Sequence, residues 1–246
     1  MGQQFLREVF VLNSIRFKFE RGEEVKYISH LDLAKVFERA LRRSRIPIAY
    51  SQGFNPHPQM IFGLPLSVGV TSEAEYADFE FEEQLEVDDF MLRLNLQLPA
   101  GIRIVNAKVK ETKTNIMASI AQASYEITIS CSSSNEAEMV YRGIEALTLR
   151  DSIRVEKESK HGIKEIDIKP MIYKMAAKKQ GCENLEVCIS VLLSAGSESN
   201  LKPELIVKAL GEIINKNIPI FNINRTGLFI EKDGRILEPM DTIVLI

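Results

Sequence analysis

Four arginines lie within seven residues near the end of a predicted helix and make the densest charge in the chain. They are Arg39, Arg42, Arg43 and Arg45. A guanidinium group can bind two phosphate oxygens at once, so the cluster is suited to a phosphate backbone. The other explanation is complementarity to the helix dipole together with solubility. Arg43 is the best single candidate for binding, because helical spacing places it on the flank of the apolar stripe.

The segment that follows, YSQGFNPHPQMIFGLPLSVGV at residues 50–70, is rich in glycine and proline. Glycine permits positive φ and close approach of a ligand, whereas the flanking prolines hold His57 extended. Aromatic rings beside arginines are what single-stranded RNA or a flat cofactor needs for stacking and charge neutralisation. The segment would then form the mouth of a shallow cationic groove. Its candidate binding residues are Tyr50, Gly53, Phe54, Asn55, His57 and Gly63.

Two other interpretations of this region stay open. The loop can instead fill the end of a sheet, with Phe54 and Phe62 in the core. His30 and His57 are the histidines of the first half, and they are weak catalytic candidates. A pair of imidazoles suits general acid–base cleavage of RNA near neutral pH. A single histidine at a helix start is more often a capping or packing residue.

The composition is that of a globular protein whose charge is unevenly distributed. Of the 246 residues, 45% are hydrophobic and 26% are charged, and the net charge of −3 argues against a wholly basic nucleic-acid-binding protein. Residues 1–62 carry ten Lys or Arg against six Asp or Glu, whereas residues 73–89 carry nine acidic residues and no basic one. A positive region is therefore followed by a negative one.

The cysteines disfavour a zinc site or an iron–sulfur cluster held by this chain alone, and no cofactor is expected. They are three, Cys131, Cys182 and Cys188, without CxxC spacing or a matching histidine cluster. Reduced cysteines fit a cytoplasmic protein. No leader of basic and then apolar residues opens the chain and no apolar run approaches about 18 residues, so neither secretion nor a membrane span is expected.

The elements that would position the candidate residues follow from the spacing of apolar side chains. SIRFKFERG alternates as a half-buried strand does, and Ser29 with Asp32 predicts the start of a helix that Pro47 ends. IAYS and EAEYADFEFEE are predicted strands, VDDFMLRLNLQLP a helix and IRIVNAKVKE a last strand. The second half repeats this order of strand, helix, strand, strand, helix and strand.

We therefore predict an α+β protein of two tandem ferredoxin-like (βαββαβ) domains with antiparallel sheets. The N-terminal domain spans residues 1–112, with the basic helix and the Gly/Pro-rich loop, and residues 121–246 form the C-terminal domain. Residues 113–120 are the linker. In the second domain Arg225 and Gly227 precede a strand edge, and we interpret them as structural.

A long stretch of the first half resembles a known signature. YISHLDLAKVFERALRRSRIPIAYSQGFNPHPQMIFGLPLSVGVTSEAEYADFEF resembles that of the radical-SAM-linked proteins, a bacterial family of uncharacterised proteins. IKEIDIKPMIYKM and NRTGLFIEKDGRILEPM resemble its later motifs, so the resemblance covers nearly the whole chain. It implies a radical-SAM enzyme as partner, either as a separate chain or as a fused part. This chain has no CxxxCxxC motif and is therefore not itself the radical enzyme.

Three hypotheses about function follow. The first is a non-enzymatic RNA- or substrate-binding accessory module that works beside a radical-SAM partner enzyme. The second is a metal-independent endoribonuclease that uses His30 and His57. It is motivated by a more remote likeness of architecture, since tandem ferredoxin-like domains with a glycine-rich loop are similar to the RAMP superfamily of CRISPR RNA-processing endoribonucleases. The third is an adaptor that only docks proteins.

Overall fold

The structure is a computed structural model, and it describes residues 13–110, 112, 114–159, 162–180 and 185–241, so that Cys182 lies outside it. The first half contains β1 (Ser14–Arg21), α1 (His30–Ser44), β2 (Met60–Phe62), β3 (Thr71–Glu80), α2 (Val87–Asn95) and β4 (Ile102–Val109). The second half contains α3 (Ile116–Ser119), β5 (Ile120–Ser130), α4 (Ser134–Thr148), β6 (Arg154–Ser159), β7 (Gly162–Asp167), β8 (Ile172–Gln180), β9 (Glu186–Ser194), α5 (Glu204–Ile214), β10 (Ile220–Lys232) and β11 (Arg235–Leu237).

One large sheet runs through both halves. Its strand order is β4-β1-β3-β10-β5-β9-β8, with β2 paired to β3 and β11 paired to β10, while β6 and β7 form a separate hairpin. Neighbouring strands are antiparallel except β3 and β10, which pair in parallel at Thr71 with Asn224 and Ser72 with Arg225. We call this short parallel contact the seam. The protein is thus a mixed α+β protein with a mostly antiparallel sheet, and the predicted fold class is confirmed at that level.

The first half packs both of its long helices on an aromatic core. The ring centroid of Phe17 on β1 lies 5.8 Å from that of Phe37 on α1 and 5.5 Å from that of Phe90 on α2. Both helices therefore cover the same face of β1. The predicted start of α1 is confirmed, since Ser29 Oγ accepts a hydrogen bond from Asp32 N at 3.2 Å.

The second half buries its own apolar residues between α4, α5 and the strands β5 and β9. Ile127 on β5 and Ile189 on β9 are fully buried in a cluster that also contains Ile144 of α4 and Leu210 of α5. Gly143 lets the two helices approach closely, because a Cβ at this position would lie 2.5 Å from Leu210 Cδ1.

One predicted strand is wrong. IAYS forms only isolated bridges, Ile48 with Phe81 and Tyr50 with Pro58. The strand of this region is β2, which begins after the last of three prolines and pairs with β3 from Met60 opposite Phe79. Pro58, the partner of Tyr50, lacks the N–H that a strand ladder needs, so the bridges do not extend into regular pairing before Met60.

Candidate nucleic-acid interface

The C-terminal end of α1 is closed by an arginine of α2. Arg93 donates hydrogen bonds to Ser44 O at 2.7 Å and to Arg45 O at 2.8 Å, and it pairs with Asp89 at 2.9 Å. Arg45 has a left-handed φ of 54°, and its N–H bonds to Arg42 O at 3.2 Å. These bonds satisfy carbonyl groups that a helix leaves open at its end. The guanidinium groups of Arg42 and Arg45 are therefore not needed for that purpose.

All four predicted arginines are exposed. Arg39 and Arg42 are three residues apart and lie on one face of α1. Arg42 pairs with Glu38 at 3.3 Å, yet its side chain keeps 75% of its exposure. Arg39 and Arg45 have no ion-pair partner in the part of the chain that the structure describes. This end of α1 therefore presents four guanidinium groups to solvent, of which that of Arg43 is held by Gln97.

Arg43, the best single candidate from the sequence, has a different environment. Its Nη2 donates to Gln97 O at 2.5 Å and its Nε donates to Gln97 Oε1 at 3.2 Å. Gln97 follows α2, so Arg43 joins α1 to the segment between α2 and β4. These contacts explain the position of the Arg43 side chain without a bound ligand.

The loop after α1 is held at its base by hydrogen bonds. Ser51 N donates to His57 O at 2.8 Å, and His57 N donates to Ser51 Oγ at 3.0 Å. Tyr50 forms a bridge with Pro58, and Gln59 Nε2 donates to Tyr50 O at 3.2 Å. The chain segments on either side of the loop tip are thus hydrogen-bonded to each other at its base.

The tip of the loop, residues 52–56, is exposed throughout, and Asn55 lies within it. Gly53 has φ 132°, a conformation that L side chains rarely adopt. Phe54 is fully exposed, whereas Phe62 is buried with its ring centroid 5.6 Å from that of Phe37. Only one of the two phenylalanines therefore belongs to the core. Phe54 projects from the surface and does not line the predicted groove.

The exposed arginines and the loop lie at the same end of the first half. Ile48 bridges Phe81, the residue after β3, and Glu82 N donates to Pro47 O at 3.0 Å. The chain reaches these contacts a few residues after α1 ends at Ser44. We define the basic end as the surface formed by Arg39, Arg42, Arg45, Tyr50 and residues 52–56.

The two histidines are not brought together. The ring of His30 packs edge-on against Phe62, with 5.4 Å between the centroids. His57 is exposed at the base of the loop tip. No ring contact or hydrogen bond joins the two histidines in the described part of the chain. The arrangement does not provide the adjacent imidazoles that the endoribonuclease hypothesis requires.

Gly63, another predicted binding residue, lies inside the protein. Its N–H donates to Tyr76 O at 2.8 Å. A Cβ at this position would lie 2.9 Å from Ile120 Cδ1. Close packing of the first strand of the second half accounts for this glycine, and it is not part of the basic end.

Buried arginines, which the sequence interpretation did not propose as site residues, occupy the seam. Arg225 donates through Nε to Glu75 Oε1 at 2.9 Å and through Nη2 to Leu64 O at 2.8 Å. Burial has the largest single effect on Arg225 and opposes its charge, but Glu75 and Tyr125 together outweigh burial and raise the pKa of the guanidinium. Arg21 donates to Ile28 O at 3.1 Å, and burial lowers its pKa. We call Arg21, Glu75 and Arg225 the seam cluster.

A second buried cluster ties the C-terminal segment to the sheet. Arg16 Nε lies 2.6 Å from Asp78 Oδ1, and Lys110 Nζ lies 3.0 Å from Asp78 Oδ2. Arg16 also donates to Pro239 O at 3.1 Å. Arg16 and Asp78 oppose each other in the β1–β3 register, which is why their side chains meet. Both clusters are closed to solvent, so we interpret them as structural.

A cleft of about 700 Å³ opens beside the seam. Its lining includes four carboxylates, and one of them, Glu73, accepts a hydrogen bond from Asn224 Nδ2 at 2.7 Å. Arg103 is the exposed cation on its wall. An excess of carboxylates repels a phosphate backbone, so this cleft is unsuited to nucleic acid. The carboxylates are those of Glu20, Glu23, Glu73 and Glu126.

Among the described residues, no group of three or more His, Cys, Asp or Glu side chains is placed to hold a metal ion. No helix in the same part of the chain has the length and apolar character needed to cross a bilayer.

Solved structures similar to this chain include two complexes that contain Cbf5 and Nop10. One is a Cbf5–Nop10–Gar1 complex, with a TM-score of 0.47 and 11% identity over 86% of this chain and 49% of that chain. The other is the archaeal box H/ACA sRNP Nop10–Cbf5 complex, with a TM-score of 0.44 and 10% identity over 87% of this chain and 47% of that chain. The chain thus spans about half the length of the solved chains it matches.

Sequence comparison provides the family. No curated protein matches the chain. A family model described as "Uncharacterized protein conserved in bacteria (DUF2344)" matches residues 14–203, which is most of the chain. The protein therefore belongs to this family of uncharacterised bacterial proteins, DUF2344.

Proposed function

We propose that this protein is a non-enzymatic accessory module that binds single-stranded RNA at the basic end. The observation that carries the proposal is the fully exposed ring of Phe54 on a loop whose base is held by hydrogen bonds, at the same end as Arg39, Arg42 and Arg45. An exposed ring offers a stacking surface to an unpaired base, and the guanidinium groups offer charge-assisted hydrogen bonds to its phosphates. Neither interaction depends on a particular base sequence.

The opposite charge at the seam supports the same placement. The carboxylates of the seam cleft repel phosphate, and they lie at the start of β3, whereas the basic end lies beside the residue that follows β3. The two oppositely charged surfaces are therefore at opposite ends of this strand. Because Arg43 and Gly63 have packing partners, they are not part of the proposed contact surface.

The partner and the domain organisation are also proposals. A radical-SAM enzyme as partner, in the cytoplasm, rests on the resemblance of the sequence motifs. Two ferredoxin-like units, residues 1–112 and 121–246 joined by 113–120, are supported by the strand orders β4-β1-β3-β2 and β10-β5-β9-β8. In each half the first strand lies between the fourth and the third, with the second strand outside the third, as a βαββαβ unit requires.

The experiment is a binding measurement with a 5′-fluorescein-labelled oligouridine of twelve nucleotides at low salt. Phe54→Ala should weaken binding about fivefold or more, since base stacking on an aromatic ring contributes about 1–3 kcal/mol. Phe221→Ala is the matched control, because Phe221 is also an exposed phenylalanine, at 67%, but lies on β10 in the second half. The Phe221→Ala variant should bind the oligouridine with the same affinity as the wild type.

Three outcomes would overturn the proposal. Absence of binding to the oligouridine favours the protein-docking adaptor. Shortened RNA on a denaturing gel, lost in His57→Ala, favours the endoribonuclease. Equal weakening by Phe54→Ala and Phe221→Ala would place the RNA elsewhere.

A further inference from the structure

The strand β8 ends the large sheet, and its outer edge has no neighbour in the described part of the chain. In the strand order β8 pairs only with β9. The outer N–H and C=O groups of such a strand are a ready template for pairing with another extended chain. With nine residues, Ile172–Gln180, the strand is long enough for regular pairing.

An apolar groove lies along one face of this edge. It has a volume of about 490 Å³ and runs between the C-terminal part of α4 and β8. Met175 and Ala177 form its floor, because they oppose the buried residues of β9 and so face the helices. Leu149, at the end of α4, is 85% exposed beside it. Its other lining residues include Tyr141, Ile144 and Thr148.

The opposite face of the same edge is cationic. Lys174 and Lys178 alternate with the groove residues and oppose Leu192 and Cys188 of β9, so they point away from α4. Both are exposed. An added strand would therefore meet an apolar surface on one side and two ammonium groups on the other.

We propose that β8 accepts an extended segment of a partner protein as an additional strand, with apolar residues toward the groove and acidic residues toward Lys174 and Lys178. Strand addition to a free edge gives affinity through the main chain and specificity through alternate side chains. A second copy of this chain is the wrong partner, since pairing β8 with β8 would bring these lysines together. Lysines that serve only to protect an edge do not explain the groove or the exposed Leu149.

The test uses two eight-residue peptides with the whole protein. One alternates valine with glutamate and the other alternates valine with lysine, both capped at their ends. Hydrogen exchange followed by mass spectrometry should show protection of residues 172–180 by the glutamate peptide and none by the lysine peptide. The variant Lys174→Glu plus Lys178→Glu should reverse this preference and weaken the glutamate peptide at least tenfold.

The control variant is Lys157→Glu plus Lys164→Glu. These lysines oppose each other on the β6–β7 hairpin, so the change in charge is the same but lies away from β8. It should bind the glutamate peptide as the wild type does, and thermal melts should show that both variants remain folded. Unchanged exchange of residues 172–180, equal protection by both peptides, or a dimer of the free protein with β8 protected would each contradict the proposal.

Discussion

Arginines occupy two contrasting environments in this molecule. At the basic end, Arg42 keeps 75% of its side-chain exposure and has one carboxylate partner a helical turn away. At the seam, Arg225 is fully buried and is held by Glu75 and by Leu64 O. The first guanidinium can exchange its partner for a ligand, whereas removing a partner from the second would leave a buried charge without compensation.

The contrast shows that an arginine's role depends on whether its hydrogen-bond partners come from its own chain. The seam cluster joins the two halves where β3 and β10 share only two residue pairs. The ion pair between Arg225 and Glu75 reinforces a contact that has little backbone pairing. The basic end does not connect the two halves, so its arginines are available to bind phosphate.

The largest effect is expected from Glu75→Gln. It removes the carboxylate from between two buried guanidinium groups and should lower the free energy of unfolding by about 3–5 kcal/mol. Urea denaturation measures the change. Glu73→Gln is the control two residues earlier on β3, since Glu73 is exposed, and its effect should stay within about 0.5 kcal/mol. Similar effects of the two substitutions would show that the seam cluster does not hold the halves together.

A smaller effect is expected from Arg43→Ala. The loss of both hydrogen bonds to Gln97 should destabilise the fold by about 1 kcal/mol in the same urea assay. Arg42→Ala loses only an exposed ion pair and should change stability by less than about 0.5 kcal/mol. RNA affinity should show the reverse order, with Arg42→Ala the weaker binder. If Arg43→Ala loses more affinity than Arg42→Ala, the assignment of Arg43 to packing is wrong.

The smallest effect concerns Glu136, a half-buried carboxylate with internal partners. Ser132 donates from Oγ at 2.5 Å and from N at 2.7 Å to Glu136 Oε2, and these bonds lower the pKa of Glu136 to about 2. Because this lies below the unfolded value of about 4.3, the carboxylate stabilises the fold above that pH, and the stabilisation is lost as the pH falls toward 2.

Urea midpoints of the wild type and Glu136→Gln between pH 6 and pH 2 test this account. The wild type should be the more stable at pH 6, and the two should converge toward pH 2. Glu145→Gln, on an exposed position of the same helix, controls for the amide substitution itself. A constant difference at every pH would show that the hydrogen bonds from Ser132 do not favour the charged form.

Local features of the fold were predictable, and long-range ones were not. The cap at Ser29 and the alternation of Phe17 and Phe19 are encoded within a few residues, and the structure has both. The pairing of Ser72 with Arg225 joins residues that lie far apart in the chain, and no local pattern indicates it. For the same reason the burial of Arg16 beside Asp78 could not be read from either strand alone.

The candidate site was predictable only as a region. Density of charge and of glycine and proline pointed to the segment from Arg39 to Gly63. Which of its members are available to a ligand depends on contacts from other elements, namely Gln97, which holds the exposed Arg43, and Ile120, which packs on the buried Gly63. The role of Arg93 in closing α1 follows from its position on α2, and its spacing of four residues from Asp89 was the one sequence feature that marked it.

The most direct test of the basic end is the salt dependence of oligouridine binding. Arg39→Ala plus Arg42→Ala should reduce the slope of log K against log salt concentration by about 1.4, the value for two lost phosphate contacts on a single strand. Arg142→Ala plus Arg150→Ala removes the same charge from the second half, where Arg142 has a matching ion pair with Glu138 at 2.8 Å and 75% exposure. That control should keep the wild-type slope. An unchanged slope in Arg39→Ala plus Arg42→Ala, or an equal reduction of the slope in both double variants, would contradict binding at the basic end.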